Sequence, residues 1–172
     1  MNRVQYQMKT WVSKIGVLLV FAATGWQCLN APDYPDTPSI EFLSVSKDTL
    51  LQGLFMEDSI FVRFSFQDGD GDIGRNDQAV ENNVFFIDER TGTVDNTFGI
   101  PAIPEEGAAN GVEGEIRILI FSTCCIYSDG VDPCMPNPTI PFDTVQYRIY
   151  ITDRAGHKSN EILTSPIILR CN

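Results

Sequence analysis

Positive charge and histidine are both scarce in this sequence. The 172 residues include 12 lysines and arginines, 23 aspartates and glutamates and one histidine, which gives a formal charge of −11. This acidic balance argues against nucleic acid as a partner, because phosphates need a basic surface. It argues equally against docking on anionic lipid head groups. A single histidine also leaves few schemes for general-base catalysis.

Signatures of common catalytic sites are missing as well. The sequence contains no HExxH metal motif, no GxSxG nucleophile turn, no glycine-rich phosphate loop and no CxxC redox pair. Two adjacent carboxylates, Glu105 and Glu106, are typical of a solvated turn, whereas a glycosidase needs two carboxyls held across a cleft. We therefore predict that the protein is not an enzyme.

The sequence contains a single long hydrophobic run. The stretch "IGVLLVFAATGW" (15–26) is too short to span a bilayer comfortably, and it follows Arg3, Lys9 and Lys14 with no acidic residue among them. This order of charged and apolar residues predicts a signal peptide over 1–27. Removing it takes away three basic groups and no acidic ones, so the formal charge falls from −11 to −14.

Cys28 comes directly after this segment, at the position where bacterial lipoproteins attach lipid. Five cysteines leave one over once pairs are made, so we expect Cys28 to carry the lipid that anchors the exported chain in the cell envelope. Ordinary signal cleavage after Gly25, with Cys28 incidental, is the alternative. Residues 28–38 are rich in proline and aspartate, and this composition predicts an extended tether.

Residues 39–172 show no amphipathic helical pattern of useful length and no internal repeat. Short alternating runs are separated by Gly, Pro, Asn and Asp, as in antiparallel strands joined by turns. Pro166 cannot donate a ladder hydrogen bond, so it marks an edge strand or a bulge. The pattern predicts one all-β domain, an antiparallel two-sheet sandwich of about seven strands. The strand candidates are 39–46, 59–67, 83–89, 114–121, 144–152 and 162–171.

Four further cysteines, Cys124, Cys125, Cys134 and Cys171, make an even set in an exported chain and predict two disulfides. Adjacent residues of an extended segment point to opposite sides, so the neighbouring pair needs different partners. We expect one bridge within the loop to Cys134 and one that ties Cys171 to the preceding strand; which neighbour takes which partner stays open. A thiolate zinc site is the alternative, although the only histidine, His157, is distant in sequence.

Three aspartates alternate with glycines in "FQDGDGDIG" (66–74). Asp68, Asp70 and Asp72 repel one another without a cation, and Ca²⁺ prefers six to eight hard oxygen ligands. One interpretation is a weak calcium site, with a dissociation constant of about 10⁻⁴–10⁻³ M, to which Asp77 or backbone carbonyls contribute. The other is a solvated Asp-Gly turn whose carboxylates cap backbone N–H groups at the end of the strand.

The segment "TDRAGHKSN" (152–160) contains the turn residues Asp153 and Gly156. Its position between the last two strand candidates predicts a structural hairpin, in which Asp153 bonds backbone N–H groups further along the turn. A catalytic pair of Asp153 and His157 is the less favoured interpretation.

Several of these stretches resemble known families. The run "IPFDTVQYRIYITD" resembles the approach to the sixth strand of fibronectin type III and other immunoglobulin-like domains, with Tyr147 placed like their corner tyrosine, whose hydroxyl bonds nearby backbone. "DRAGHKSN" resembles the D-x-A-G-N-x-S turn of bacterial immunoglobulin-like modules. Together with "FSFQDGDGDIG", the twin cysteines and "ILRC", the sequence is similar to small outer-membrane lipoproteins of Bacteroidota. The resemblance implies export, lipid anchoring and an immunoglobulin-like sandwich, but no reaction.

The function expected from these features is that of a lipid-anchored β-sandwich module with a binding or structural role in the cell envelope. Carbohydrate binding is the alternative, because aromatic side chains can stack on sugars. Phe85, Tyr127 and Tyr150 are the candidates for that contact, although aromatic residues in strands more often belong to the core. The sequence does not distinguish a glycan from a protein as the binding partner.

Overall fold

The computed structural model of the protein describes residues 34–74, 82–101, 103 and 111–171. The predicted signal peptide 1–27, Cys28 and Asp77 lie outside these residues, as do Glu105 and Glu106. The predictions that concern them therefore stay predictions.

The described residues form ten β-strands and no helix. The strands are β1 (Ser39–Val45), β2 (Thr49–Leu51), β3 (Ser59–Asp68), β4 (Val84–Asp88), β5 (Thr93–Phe98), β6 (Val112–Phe121), β7 (Phe142–Val145), β8 (Tyr147–Ile151), β9 (Ile162–Leu163) and β10 (Ile167–Arg170). They pair in three sheets, in the orders β1-β3-β6, β2-β10-β7 and β5-β4-β8-β9. The prediction of an all-β domain is confirmed. Nowhere in the described part of the chain is there a helix of the length and hydropathy needed to cross a membrane.

Alternation along β3 builds one side of the hydrophobic core. Ile60, Val62, Phe64 and Phe66 point inward and are at most 7% exposed, because successive strand side chains point to opposite faces. β3 lies between β1 and β6, with both of which it pairs antiparallel. Buried side chains of β4 and β8 belong to the same hydrophobic cluster, so each of these sheets buries one face against a shared interior.

Two strand candidates divide where the chain passes from one sheet to another. The run 144–152 breaks at Gln146, so that β7 pairs with β10 and β8 pairs with β4 and β9. The run 162–171 breaks at 164–166, and Pro166 lies in this break. Side-chain hydrogen bonds connect the two breaks to each other. The Thr164 hydroxyl accepts from Tyr147 N at 3.1 Å, and Gln146 Nε2 donates to Thr164 O at 2.9 Å.

Two strands have no counterpart among the sequence candidates. β2 is only three residues long and is held by parallel pairing with β10. β5, "TVDNTF", is mostly exposed and shows no apolar alternation, and it forms because it pairs with β4. The run "TGTV" (91–94) has the composition of a turn, but its last two residues, Thr93 and Val94, already belong to β5. In both cases the partner strand, and not the local pattern, determines the structure.

Two disulfides join Cys124 to Cys134 and Cys125 to Cys171, with Cα–Cα distances of 4.6 and 5.9 Å. The predicted arrangement of one bridge within the loop and one to the last strand is confirmed. The open choice of partners is decided by burial: Cys125 and Cys171 are both fully buried in the core, whereas Cys124 is partly exposed on the loop side.

Candidate metal site

The aspartate cluster begins at the last residue of β3. Asp68 continues the inward-facing series of this strand and is therefore fully buried. Gly71 and Gly74, with φ of 67° and 88°, then turn the chain back, in a backbone conformation that favours glycine. Between these two glycines, Ile73 packs into the core at 1% exposure, and its N–H donates to Asp68 Oδ2 at 3.1 Å.

The turn brings three carboxylates together. Asp68, Asp70 and Asp72 each offer one oxygen, and these oxygens lie within 4.8 Å of one another. Asp68 is buried, Asp72 half-buried and Asp70 exposed, so the cluster is open to solvent on one side. Asp70 Oδ1 also accepts from Asp72 N at 3.3 Å. The three side chains predicted from the sequence as ligands thus form one group.

Two oxygens of this group have no hydrogen-bond partner among the described residues. Asp68 Oδ1 and Asp72 Oδ1 are both buried from solvent without a donor within bonding distance. A buried polar atom left without a partner costs free energy, and more so when the group is charged. Among the described residues, the cluster therefore has neither the positive charge nor the donors that its buried carboxylates require.

A fourth carboxylate approaches from another loop. Asp153 follows β8 and is 1% exposed, and it continues the inward-facing series of β8 just as Asp68 continues that of β3. Burial raises the pKa of Asp68 to about 6; the hydrogen bond from Ile73 opposes this, and the charges of Asp70, Asp72 and Asp153 add to it. Burial also raises the pKa of Asp72, and the charge of Asp153 adds to that effect.

Asp153 also holds its own turn. Its Oδ1 accepts from His157 N at 2.7 Å, and its Oδ2 lies 2.9 Å from His157 Nδ1. This arrangement agrees with a structural role for the pair. The same turn presents Ala155 N to Asp72 Oδ2 at 3.0 Å, so the loop after β3 and the loop after β8 are in direct contact at the cluster.

A second group of carboxylates differs from the aspartate cluster because it is paired with a positively charged side chain. Asp88 and Asp143 both bond the guanidinium of Arg90, at 2.6 Å each, and Arg90 also donates to Cys124 O at 3.0 Å. The two carboxylates neutralise a mostly buried arginine, and all three partners orient it. Within the described residues, Asp68, Asp70 and Asp72 have no comparable cation.

The chemistry of the aspartate cluster matches a hard divalent cation. Three clustered carboxylates, two of which have a buried oxygen without a partner in residues 34–74, 82–101, 103 and 111–171, supply anionic oxygen ligands of the type that Ca²⁺ binds. Water can fill further positions on the exposed side. The sequence pattern did not lead us to predict that Asp153 approaches the cluster. Its register could have indicated this, because Asp153 extends the inward-facing series of β8 at the same end of the sheets as Asp68.

The aromatic residues considered for sugar binding do not form one surface. Phe85 and Tyr150 stack on each other, with ring centroids 4.7 Å apart, and Lys158 Nζ lies 4.0 Å from the Tyr150 centroid. Tyr127 is buried, and its hydroxyl donates to Met135 O at 2.6 Å. The structure therefore brings two of the three candidates together and assigns the third to the core.

Tyr147 differs from the corner tyrosine that the resemblance implied. It is 1% exposed in the core, and its hydroxyl donates to Asp95 Oδ2 on β5 at 3.4 Å, not to nearby backbone.

Comparisons of the chain with protein-family models, with curated proteins and with solved structures found no match. The assignment of a function therefore rests on the chemistry of the site.

Proposed function

We propose that the protein is an immunoglobulin-like β-sandwich module of the cell envelope, anchored through lipid on Cys28, whose loop after β3 binds Ca²⁺ and is stabilised by it. Asp68, Asp70 and Asp72 are the side-chain ligands. The observation that carries the calcium proposal is the pair of buried oxygens, within the convergent carboxylates, that have no hydrogen-bond partner in the part of the chain that the structure describes.

The strand order supports the immunoglobulin-like part of the proposal. If β7–β8 and β9–β10 are each counted as one continuous run and the short β2 is set aside, seven strands remain. One set pairs as β1-β3-β6 and the other as β5-β4-β8-β9, and both sets contribute side chains to one core. Two antiparallel sheets with non-consecutive neighbours around a common core are typical of that fold.

Electrostatics favours occupation of the site by a divalent cation. Asp68, Asp70, Asp72 and Asp153 place four carboxylates at one end of the strands, and Coulomb repulsion grows as they leave water. Protonation relieves the repulsion at acidic pH, consistent with the raised pKa of Asp68 and Asp72. At neutral pH a cation bound between the carboxylates would relieve it instead.

Thermal melting of the full chain in 10 mM CaCl₂ and in EDTA tests the calcium site. A dissociation constant of about 10⁻⁴ M gives about 2.7 kcal/mol of stabilisation at this concentration, which raises the midpoint by roughly 5–10 °C. The double variant Asp70→Asn, Asp72→Asn should lose this increase. Asp132→Asn, at an exposed position in the loop between β6 and β7, should retain it. An unchanged midpoint in the parent, or an equal increase in the double variant, contradicts the proposal.

Carbohydrate binding has weaker support and remains the second candidate. Phe85 and Tyr150 are half-buried on the outward side of their strands, where a stacked aromatic pair can contact a sugar ring. A glycan array would show binding by the parent and its loss in Phe85→Ala. Absence of any bound glycan on the array would remove this candidate while leaving the calcium site in place.

A further inference from the structure

The chain enters the domain beside the aspartate cluster. Residues 34–38, which we call the exit segment, lead directly into β1, and Ser39 at the start of β1 pairs with Gln67 of β3. Gln67 precedes Asp68. The segment that connects the domain to the N-terminal part of the chain therefore lies next to the loop that carries the proposed calcium ligands.

Gly69 brings the exit segment into direct contact with this loop. Its N–H donates to Pro35 O at 2.8 Å. A Cβ at this position would lie 2.2 Å from Tyr34 O and 2.7 Å from Pro35 O, so no other residue could allow this approach without a shift. Gly69 stands between Asp68 and Asp70, which means that the backbone joining two proposed ligands is also the surface on which the exit segment packs.

A second set of contacts holds the segment from the side of β6. The Tyr34 hydroxyl donates to Glu113 Oε2 at 2.6 Å. A Cβ on Gly111 would lie 2.9 Å from the Tyr34 ring and 3.1 Å from Asp68 O, so the ring and the backbone of Asp68 approach the same glycine. The exit segment is thus docked against the carboxylate loop and against the residues beside it.

We propose that calcium bound by Asp68, Asp70 and Asp72 fixes the exit segment on the domain, and that loss of calcium releases it. This inference rests on the calcium site proposed above. Without the ion, repulsion among the carboxylates disfavours the loop conformation that brings Gly69 N–H to Pro35 O. Coupling between two binding events is reciprocal, so docking of the exit segment also strengthens calcium binding. An envelope module would then be held rigidly to its N-terminal connection in calcium and hinged without it.

Hydrogen exchange of the Gly69 amide in the full chain reports this docking directly, because Pro35 O is its acceptor. The reference is the Ser122 amide, which donates to Asp58 O at 2.9 Å at the opposite end of β3 and β6. At 10 mM calcium and a dissociation constant of about 10⁻⁴ M, opening of the loop is suppressed about 100-fold. We expect Gly69 exchange to slow by at least tenfold more than Ser122 exchange.

A variant outside the ligand set tests the reciprocal effect. Tyr34→Phe removes the hydrogen bond to Glu113 and leaves all three ligands intact, so calcium titration followed by Gly69 exchange should give a dissociation constant two- to fivefold higher than in the parent. Tyr150→Phe is the matched control, because it also removes one tyrosine hydroxyl, from a ring that packs on Phe85 and Lys158, and it should leave the constant unchanged.

The outcomes separate this inference from the proposed function. If calcium raises the melting midpoint but slows Gly69 and Ser122 exchange equally, the calcium site stands and the coupling to the exit segment is wrong. An unchanged dissociation constant in Tyr34→Phe overturns the coupling in the same way. If calcium changes neither the midpoint nor the exchange of Gly69, the proposed function fails, and this inference fails with it.

Discussion

Asp68 illustrates how a single residue acquires unusual properties from its register. It occupies the inward series of β3 after Phe66 and is fully buried, although aspartate is rarely buried without a partner. One of its oxygens accepts from Ile73 N and the other has no partner among the described residues. Burial and neighbouring charges raise its pKa to about 6. The same feature that makes Asp68 a candidate ligand therefore makes the calcium-free domain sensitive to pH.

We predict that the domain without calcium loses stability as the pH rises from about 4 to about 6. The pKa of Asp68 is about 6 in the folded state against 3.8 for the ordinary side chain. In this window the folded state keeps a proton that the unfolded state has released, so unfolding is favoured increasingly with pH. The raised pKa of Asp72 acts in the same direction. Melting curves in EDTA between pH 4 and 7 measure the effect.

The control for this titration is Asp68→Asn, because other carboxylates also titrate in the same range. The amide cannot ionise, so the variant should show a smaller fall in midpoint between pH 4 and 6 than the parent. Parallel curves for the two proteins would mean that Asp68 ionises in the folded state as readily as in the unfolded state.

At the scale of elements, contacts between strands override local pattern where the pattern is weak. β3 and β6 alternate clearly and form as predicted from sequence, because a buried apolar face stabilises each of them. β5 has no such face and depends on β4. The two disulfides act at this same scale: one closes the loop between β6 and β7, and the other joins the residues after β6 to the end of β10.

We predict that the two disulfides contribute unequally to the free energy of unfolding. The Cys125–Cys171 bridge spans 46 residues and the Cys124–Cys134 bridge spans 10. Chain entropy gives roughly 4 kcal/mol for the longer loop and roughly 3 kcal/mol for the shorter one. Burial of Cys125 and Cys171 in the core adds a packing loss when they are replaced. Denaturant unfolding of the two double alanine variants measures the difference.

Each double variant serves as the control for the other, since both remove two cysteines. An equal loss of stability, or a larger loss for Cys124 and Cys134, would contradict the prediction. Thiol titration of the denatured, unreduced parent checks the starting state, because four titratable thiols from these residues would mean that no bridge forms in the protein.

For the whole molecule, the functional features lie at opposite ends of the strands. The aspartate cluster and the exit segment are at the end where β3 finishes and β6 begins. The disulfides and the Arg90 ion pairs are at the other end, beyond Phe121 of β6. An anchor on Cys28, as proposed above, would therefore connect to the end of the domain that carries the proposed calcium site.

We predict that this tether carries lipid on Cys28. The reason is the position of the cysteine after an apolar segment with a positively charged N-terminus. Metabolic labelling with a palmitate analogue should label the parent and not Cys28→Ser, and the variant should leave the membrane fraction. Equal labelling of parent and variant would show that Cys28 is not the attachment site, as expected if cleavage occurs after Gly25.

The sequence alone was sufficient to predict the properties that neighbouring residues determine. Alternation in 59–67 and 114–121 predicted two central strands, because side-chain direction in a strand has a period of two. The even number of cysteines after Cys28 predicted two bridges, and the spacing of Asp68, Asp70 and Asp72 placed three carboxylates in one turn. The alternation and the aspartate spacing depend on residues close together in the chain, and the number of bridges depends only on how many cysteines the chain has.

The tertiary structure decided what depends on residues far apart in sequence. It assigned Cys125 to Cys171 through their burial in one core, and it divided the run 144–152 between two sheets at Gln146. It also brought the turn of Asp153 against Asp72 and the exit segment against Gly69. Local patterns specify which way a side chain points, but which distant segment it meets is determined only when the strands pair and pack.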